Sequence, residues 1–131
     1  MNWLAHLYLS EPETEFRLGN LLADQVRGAD RKRMSIDFQR GMTCHQAIDA
    51  FAESHPVVKR SRQRIGPEQR RFSGILVDVF YDHFLARNWT EHSTIPLSQF
   101  THNAYADFAP HLPHFPGKQG SRWNVSSSTT G

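Results

Sequence analysis

With a single cysteine, Cys44, among its 131 residues, this chain can form no internal disulfide, and a lone thiol suits a reducing compartment. No apolar run approaches the roughly 18–20 residues that a membrane span requires. The first residues, MNWLAHLYLSEPE, lack the basic start of a secretory signal. A cytoplasmic protein without membrane association is the expectation. Also missing is the period-2 alternation of a half-buried strand, and no internal repeat is visible. What remains is helical periodicity in a chain of one-domain length, so the expected fold is all-α, a compact bundle of five or six helices.

The charge is informative by its placement. The formal net charge is only +2, yet Arg27–Arg40 holds five basic residues and Lys59–Arg71 six, which is 11 of the 15 Lys and Arg. Such clustering favours an anionic partner, although each run taken singly also fits a solvated helix face. Aromatic residues interleaved with these runs are few, Phe38 and Phe72, which argues against nucleic acid.

Residues 2–9 predict a short helix, broken at Glu11-Pro12-Glu13. Phe16–Arg27 resumes the helical pattern and Gly28 is read as its stop. A basic loop leads to a helix over 35–54 in which Gly41 is a weak point. Pro56 opens a further helix, which Gly66-Pro67 ends. A helix over 73–89 follows, and Ser98 is expected to cap a last one, Gln99–Phe108. Residues 1–109 then form the helical domain. The segment 110–131, rich in Pro, Gly and Ser, is expected to be a disordered tail.

The helix over 73–89 reads SGILVDVFYDHFLARNW and is apolar around nearly its whole circumference, which predicts burial. Asp78 and Asp82 stand four apart on one side of it, and a carboxylate inside a protein needs a pair or a metal. His45 and Asp49 repeat the spacing on the preceding long helix. The candidate ligands are therefore His6, Asp24, His45, Asp49, Asp78, Asp82 and His83, imidazoles and carboxylates of the kind that divalent Mn, Fe or Zn accept. A metal there would acidify water and polarise a phosphoryl oxygen, which suits phosphate ester hydrolysis. Each residue also has a plainer reading: His6 as a core histidine, Asp24 paired with Arg27, Asp49 solvated, His83 packed behind the ligands. His55, His92, His102, His111 and His114 are read as structural or surface residues, and Cys44 is not read as a nucleophile.

Four motifs in order, MNWLAHLYLS, GNLLADQVRG, HQAIDAF and VDVFYDHFLARNW, resemble the acyl carrier protein phosphodiesterase family from Met1 to about Phe108. The resemblance implies a helical metallohydrolase, distantly similar to HD-domain phosphohydrolases. Its members remove the 4′-phosphopantetheine arm from holo acyl carrier protein with a divalent cation, typically manganese. By motif match, His6, Asp24, His45, Asp49, Asp78 and Asp82 would form the site, with His83 adjacent. His45, Asp49, Asp82 and His83 are assigned to the metal, and Asp24 or Asp78 to the attacking water. Asn20 or His6 would meet a phosphate oxygen. Arg27, Arg60, Arg62 and Arg64 are assigned to the acidic carrier protein, which the two basic runs would dock. Relatives are expected to continue through further helices where this chain has its polar tail, so a shortened or inactive chain is also considered. Two alternatives stand beside this reading: an HD-type enzyme acting on a nucleotide or other small phosphate ester, and a non-catalytic basic module that binds an acidic protein.

Overall fold

In a computed structural model, residues 1–111 are described; apart from its first two residues, the expected tail lies outside them. Among the described residues there are seven α-helices and no strand: α1 Trp3–Tyr8, α2 Thr14–Leu22, α3 Gly28–Arg31, α4 Ile36–Ser54, α5 Pro56–Gln63, α6 Ser73–Arg87 and α7 Leu97–Phe108. No helix among them is long and apolar enough to cross a membrane.

The principal contact is between α2 and α4. Two glycines permit it: a methyl group on Gly19 would land on the Phe38 carbonyl oxygen, and one on Gly41 on the Phe16 carbonyl oxygen. The two backbones thus touch where a side chain would separate them, and Gly41, expected to be a weak point, is where α4 gains its closest neighbour. Around this crossing Leu7, Leu18, Phe38, Met42, Ala104 and Phe108 form the core, so α1 and α7 close over the α2–α4 pair. Each large apolar side chain buried there contributes roughly 1.5–3 kcal/mol.

Capping chemistry sets the borders of α4 and α5. Ser35 Oγ accepts the Phe38 N–H at the start of α4. His55 ends α4 and opens α5, where its Nδ1 accepts the Val57 N–H at 3.2 Å, and Pro56 occupies the first helical turn, where its missing N–H costs nothing.

Four expectations are corrected. Gly28 does not stop a long helix: the chain leaves α2 at Leu22 through a 3-10 turn, Ala23–Gln25, and Gly28 begins the short α3 inside the expected basic loop. Ser98 makes no cap, because α7 begins one residue before it, at Leu97. The sixth helix ends at Arg87, and Trp89 sits in a 3-10 turn with its Nε1 donating to the Ile95 carbonyl at 2.7 Å. Nor is α6 buried all round. Val77 and Asp82 face inward, whereas Ile75 (66% exposed), Val79, Phe80 and Phe84 face out, because α1 and α5 cover one side of it only.

The α2–α4 crossing yields a direct test. Gly41→Ala should force the helices apart and destabilise the protein by about 3 kcal/mol or more, whereas Gly28→Ala, with open space at its Cβ, should have little effect. Urea unfolding followed by circular dichroism distinguishes them; equal midpoints would refute the close-contact explanation.

Candidate metal centre

The α2–α4 crossing sets Asn20 beneath two imidazoles. His6 from α1 and His45 from α4 stack with ring centroids 4.1 Å apart and planes 14° from parallel. Asn20 is 0% exposed, and its Nδ2 donates to the His6 carbonyl (3.2 Å) and to Ser10 Oγ (2.7 Å). Its Oδ1 is left to accept from His6 Nδ1 at 2.8 Å, and its main-chain carbonyl accepts from His45 Nδ1 at 2.7 Å. One residue thereby fixes both tautomers. Each ring carries its hydrogen on Nδ1, so in the neutral form each Nε2 presents a lone pair.

Both Nε2 atoms face Asp49. His6 Nε2 lies 3.2 Å from Asp49 Oδ1, and His45 Nε2 lies 3.2 Å from Asp49 Oδ2. Asp24 Oδ2, on the 3-10 turn after α2, is 3.4 Å from His45 Nε2 and 85% exposed. Among the described residues His45 Nε2 is buried without a hydrogen-bond partner, and His6 Nε2 also faces the Met1 carbonyl at 3.1 Å. Lone pairs and carboxylate oxygens pointed at one another repel, and either a proton on an imidazole or a metal ion between them would remove that repulsion. A proton on His6 is the poorer choice, since burial, reinforced by nearby His45, holds its pKa below the usual value. Potential ligand atoms of His6, His45 and Asp49 lie within 4.8 Å of one another, and two imidazoles with a carboxylate are a donor set that fits a divalent metal ion.

The Met1 ammonium stands beside this group, 2.9 Å from Asp49 Oδ1 and 3.2 Å from Asp78 Oδ1. Burial works against its charge, but Asp49 and Asp78 outweigh burial and raise its pKa. Asp78 therefore joins the cluster through the ammonium.

The other expected site residues lie elsewhere. Asp82 was expected as a ligand, but Oδ2 accepts the Leu4 N–H (2.8 Å) and Oδ1 the Ala5 N–H (3.0 Å). Its carboxylate closes the first turn of α1, which has no side-chain cap of its own, and so anchors the helix that carries His6. Burial raises its pKa, and the two N–H groups only partly offset this. His83 is exposed beside Phe84, away from the two imidazoles, since a step of one residue from Asp82 turns it outward. Asn20, expected to meet a phosphate oxygen, is wholly enclosed. Arg27, Arg60 and Arg64 are exposed, while the Arg62 Nε donates to Ser73 Oγ at 3.4 Å and so ties α5 to α6. Sequence reading missed the tautomer-setting role of Asn20; the signal was a carboxamide among Leu18, Leu21 and Leu22 on an otherwise apolar helix face.

A family model described as acyl carrier protein phosphodiesterase matches residues 1–125, which carries the similarity past Phe108 and into the polar segment. Curated relatives named acyl carrier protein phosphodiesterase are similar over most of the chain. The Yersinia pestis protein is 39% identical over 121 residues, 90% of this chain and 62% of its own length. That of Photorhabdus laumondii is 38% identical over 119 residues, 90% and 60%. A Salmonella paratyphi A protein is 40% identical over 117 residues, 88% and 61%. The chain thus spans about three fifths of the length of these relatives. No solved structure matches it.

Two outcomes follow from the geometry. Asp82→Ala leaves two enclosed N–H groups without an acceptor and should cost about 2–4 kcal/mol, while Asp82→Asn, which keeps one acceptor oxygen, should cost less. Equal losses in urea titrations would count against the capping role. For His6 the folded pKa lies below the 6.5 of an unperturbed imidazole. The unfolded chain therefore takes up the proton first, so the stability from neutral His6 is complete above its unfolded pKa and is lost as pH falls from there through the lower folded pKa. In metal-free protein the melting-temperature gap between wild type and His6→Gln should narrow from pH 8 to pH 5; a widening gap would reverse this sign.

Proposed function

This chain belongs to the acyl carrier protein phosphodiesterase family, and from that premise we propose that it hydrolyses the phosphodiester joining 4′-phosphopantetheine to a serine of holo acyl carrier protein. The observation that carries the proposal is the convergence of two lone-pair Nε2 atoms and the Asp49 carboxylate on one point, with both tautomers set from behind by Asn20. His6, His45 and Asp49 would hold a divalent ion, manganese in this proposal. Bound there, it would neutralise a phosphoryl oxygen and acidify a nearby water.

The chain's own groups supply the rest. Exposed Asp24, next to His45 Nε2, can reach solvent from the edge of the cluster and is assigned to orienting and deprotonating the attacking water. Asp78 keeps the Met1 ammonium beside Asp49 and so balances charge at the opposite edge. In the reaction, water oxygen bonds to phosphorus, the bond from phosphorus to the serine oxygen breaks, and that oxygen takes a proton. Phosphopantetheine and apo carrier protein are released.

Exposed Arg27, Arg60 and Arg64 extend the basic surface that would meet an acidic carrier protein, with encounter rates that fall as salt rises. Nucleic acid is not the partner in this reading. Of the two aromatics in or beside the basic runs, Phe38 is buried in the core, so only Phe72 could stack on a base. The unit that carries the site is taken as residues 1–109, with 110–131 as its tail, in the cytoplasm.

Purified protein incubated with holo acyl carrier protein and manganese should convert it to the apo form on a conformation-sensitive gel, and EDTA should block conversion. Asp49→Asn and His45→Ala should abolish turnover, and Asp24→Asn should lower kcat by roughly 100-fold. His83→Ala should leave turnover unchanged. Conversion that survives EDTA and Asp49→Asn together would overturn the metal mechanism.

A further inference from the structure

A cavity of about 300 Å3 shares Met1 with the His6–His45–Asp49 cluster. Met1 forms the shared wall: it lines the cavity, while its ammonium contacts Asp49 and Asp78. Ile48 and Ala52, on either side of Asp49 along α4, line the same space, together with Val58 of α5 and Tyr81 of α6. The exposed apolar side chains Leu9, Phe51 (69% exposed) and Val57 surround it, so three of the protein's solvent-facing apolar groups gather at one opening beside one charged cluster. Scattered singly such residues mean little; collected around a concavity they mark a binding site.

The lining has a definite polarity. Among the described residues it contains no Asp, Glu, Lys or Arg. Its side-chain polar groups are the His55 ring, whose Nδ1 is occupied by the Val57 N–H, and the Tyr81 hydroxyl, which lies 2.7 Å from Ser61 Oγ. A ligand that fits this lining is uncharged and largely apolar, with few polar groups. The larger cavity of about 550 Å3 does not share this character. It lies along Ile36, Gln39, Arg40, Thr43 and Ala47, a different face of α4 from His45 and Asp49, and its guanidiniums are already engaged, Arg31 with Thr43 and Arg40 with Glu11.

We propose that the cavity between Met1, Ile48, Ala52, Val58 and Tyr81 receives the uncharged pantetheine arm of the substrate while its phosphodiester lies on the His6–His45–Asp49 cluster. The inference rests on the function proposed above and adds the subsite that distinguishes a pantetheine phosphodiester from others. The branched, dimethyl end of the arm, next to the phosphate, would pack on Met1 and Ile48. The amides beyond it would reach His55 and Tyr81.

Val58→Trp fills the cavity from α5 without touching the cluster, and Val58→Ala widens it. Kinetics would be measured with manganese on two substrates, holo acyl carrier protein and bis(4-nitrophenyl) phosphate, a phosphodiester with no such arm. Val58→Trp should raise KM for the carrier protein by roughly ten-fold or more and leave hydrolysis of the nitrophenyl ester near the wild-type value. Val58→Ala, which only removes lining atoms, should raise the KM for the carrier protein by less than Val58→Trp does. An unchanged KM in Val58→Trp, or an equal loss on both substrates in a folded variant, would overturn the subsite.

Should Val58→Trp not fold, or should wild type hydrolyse neither substrate, titration of wild type with free pantetheine decides. Methyl NMR shifts at Ile48, Val57 and Val58 up to about 10 mM pantetheine would support the cavity, and their absence would refute it. Failure of wild-type turnover is then failure of the proposed reaction, and a silent titration is failure of the subsite.

Discussion

The contact of α2 with α4 through Gly19 and Gly41 is the constraint from which the rest of the structure follows. Two helices whose backbones touch leave no room for adjustment along the crossing, and a rigid crossing can hold a polar group at a fixed depth. Asn20 is that group, one residue beyond Gly19. It is enclosed without loss because its carboxamide and carbonyl find partners on α1 and α4, and the same bonds orient the two histidines. Fold stability and site geometry therefore share one set of contacts.

The cluster above Asn20 is organised by charge. Asp49 draws three groups toward it, the two imidazoles and the Met1 ammonium, and Asp24 and Asp78 add negative charge at its edges. With burial opposing a proton on His6, the donor set of His6, His45 and Asp49 is one that could hold a metal ion. The ammonium, a donor only, supports Asp49 without competing as a ligand while it stays protonated.

Helix α6 does two jobs with residues four apart. Asp82 points inward and caps α1, which fixes the start of the helix carrying His6; Asp78, one turn earlier, reaches the ammonium. The outward side of α6 remains apolar and exposed in Ile75, Val79, Phe80 and Phe84. A helix with apolar residues on every side need not be buried on every side. What it buries is set by how many neighbours reach it.

Much of this was legible from residue order. The all-α class and the helix borders near Pro56 and Gly66 follow from periodicity and breakers, and spacing with motif resemblance named His6, Asp24, His45, Asp49, Asp78, Asp82 and His83 as candidates, all of which is local or carried by the motifs themselves. The division of labour among those residues was not. Asp82 and Asp49 look alike in sequence, each a carboxylate at i+4 of a polar partner on a helix. Only the approach of the α1 N-terminus makes one a cap, and only the stacking of two histidines makes the other the centre of a candidate metal site. The sequence by itself determined which groups the protein has to place and on which helices. The tertiary structure decided which of them are spent on backbone N–H groups and which remain free for a metal, because burial and hydrogen-bond partners are properties of neighbours brought together from distant parts of the chain.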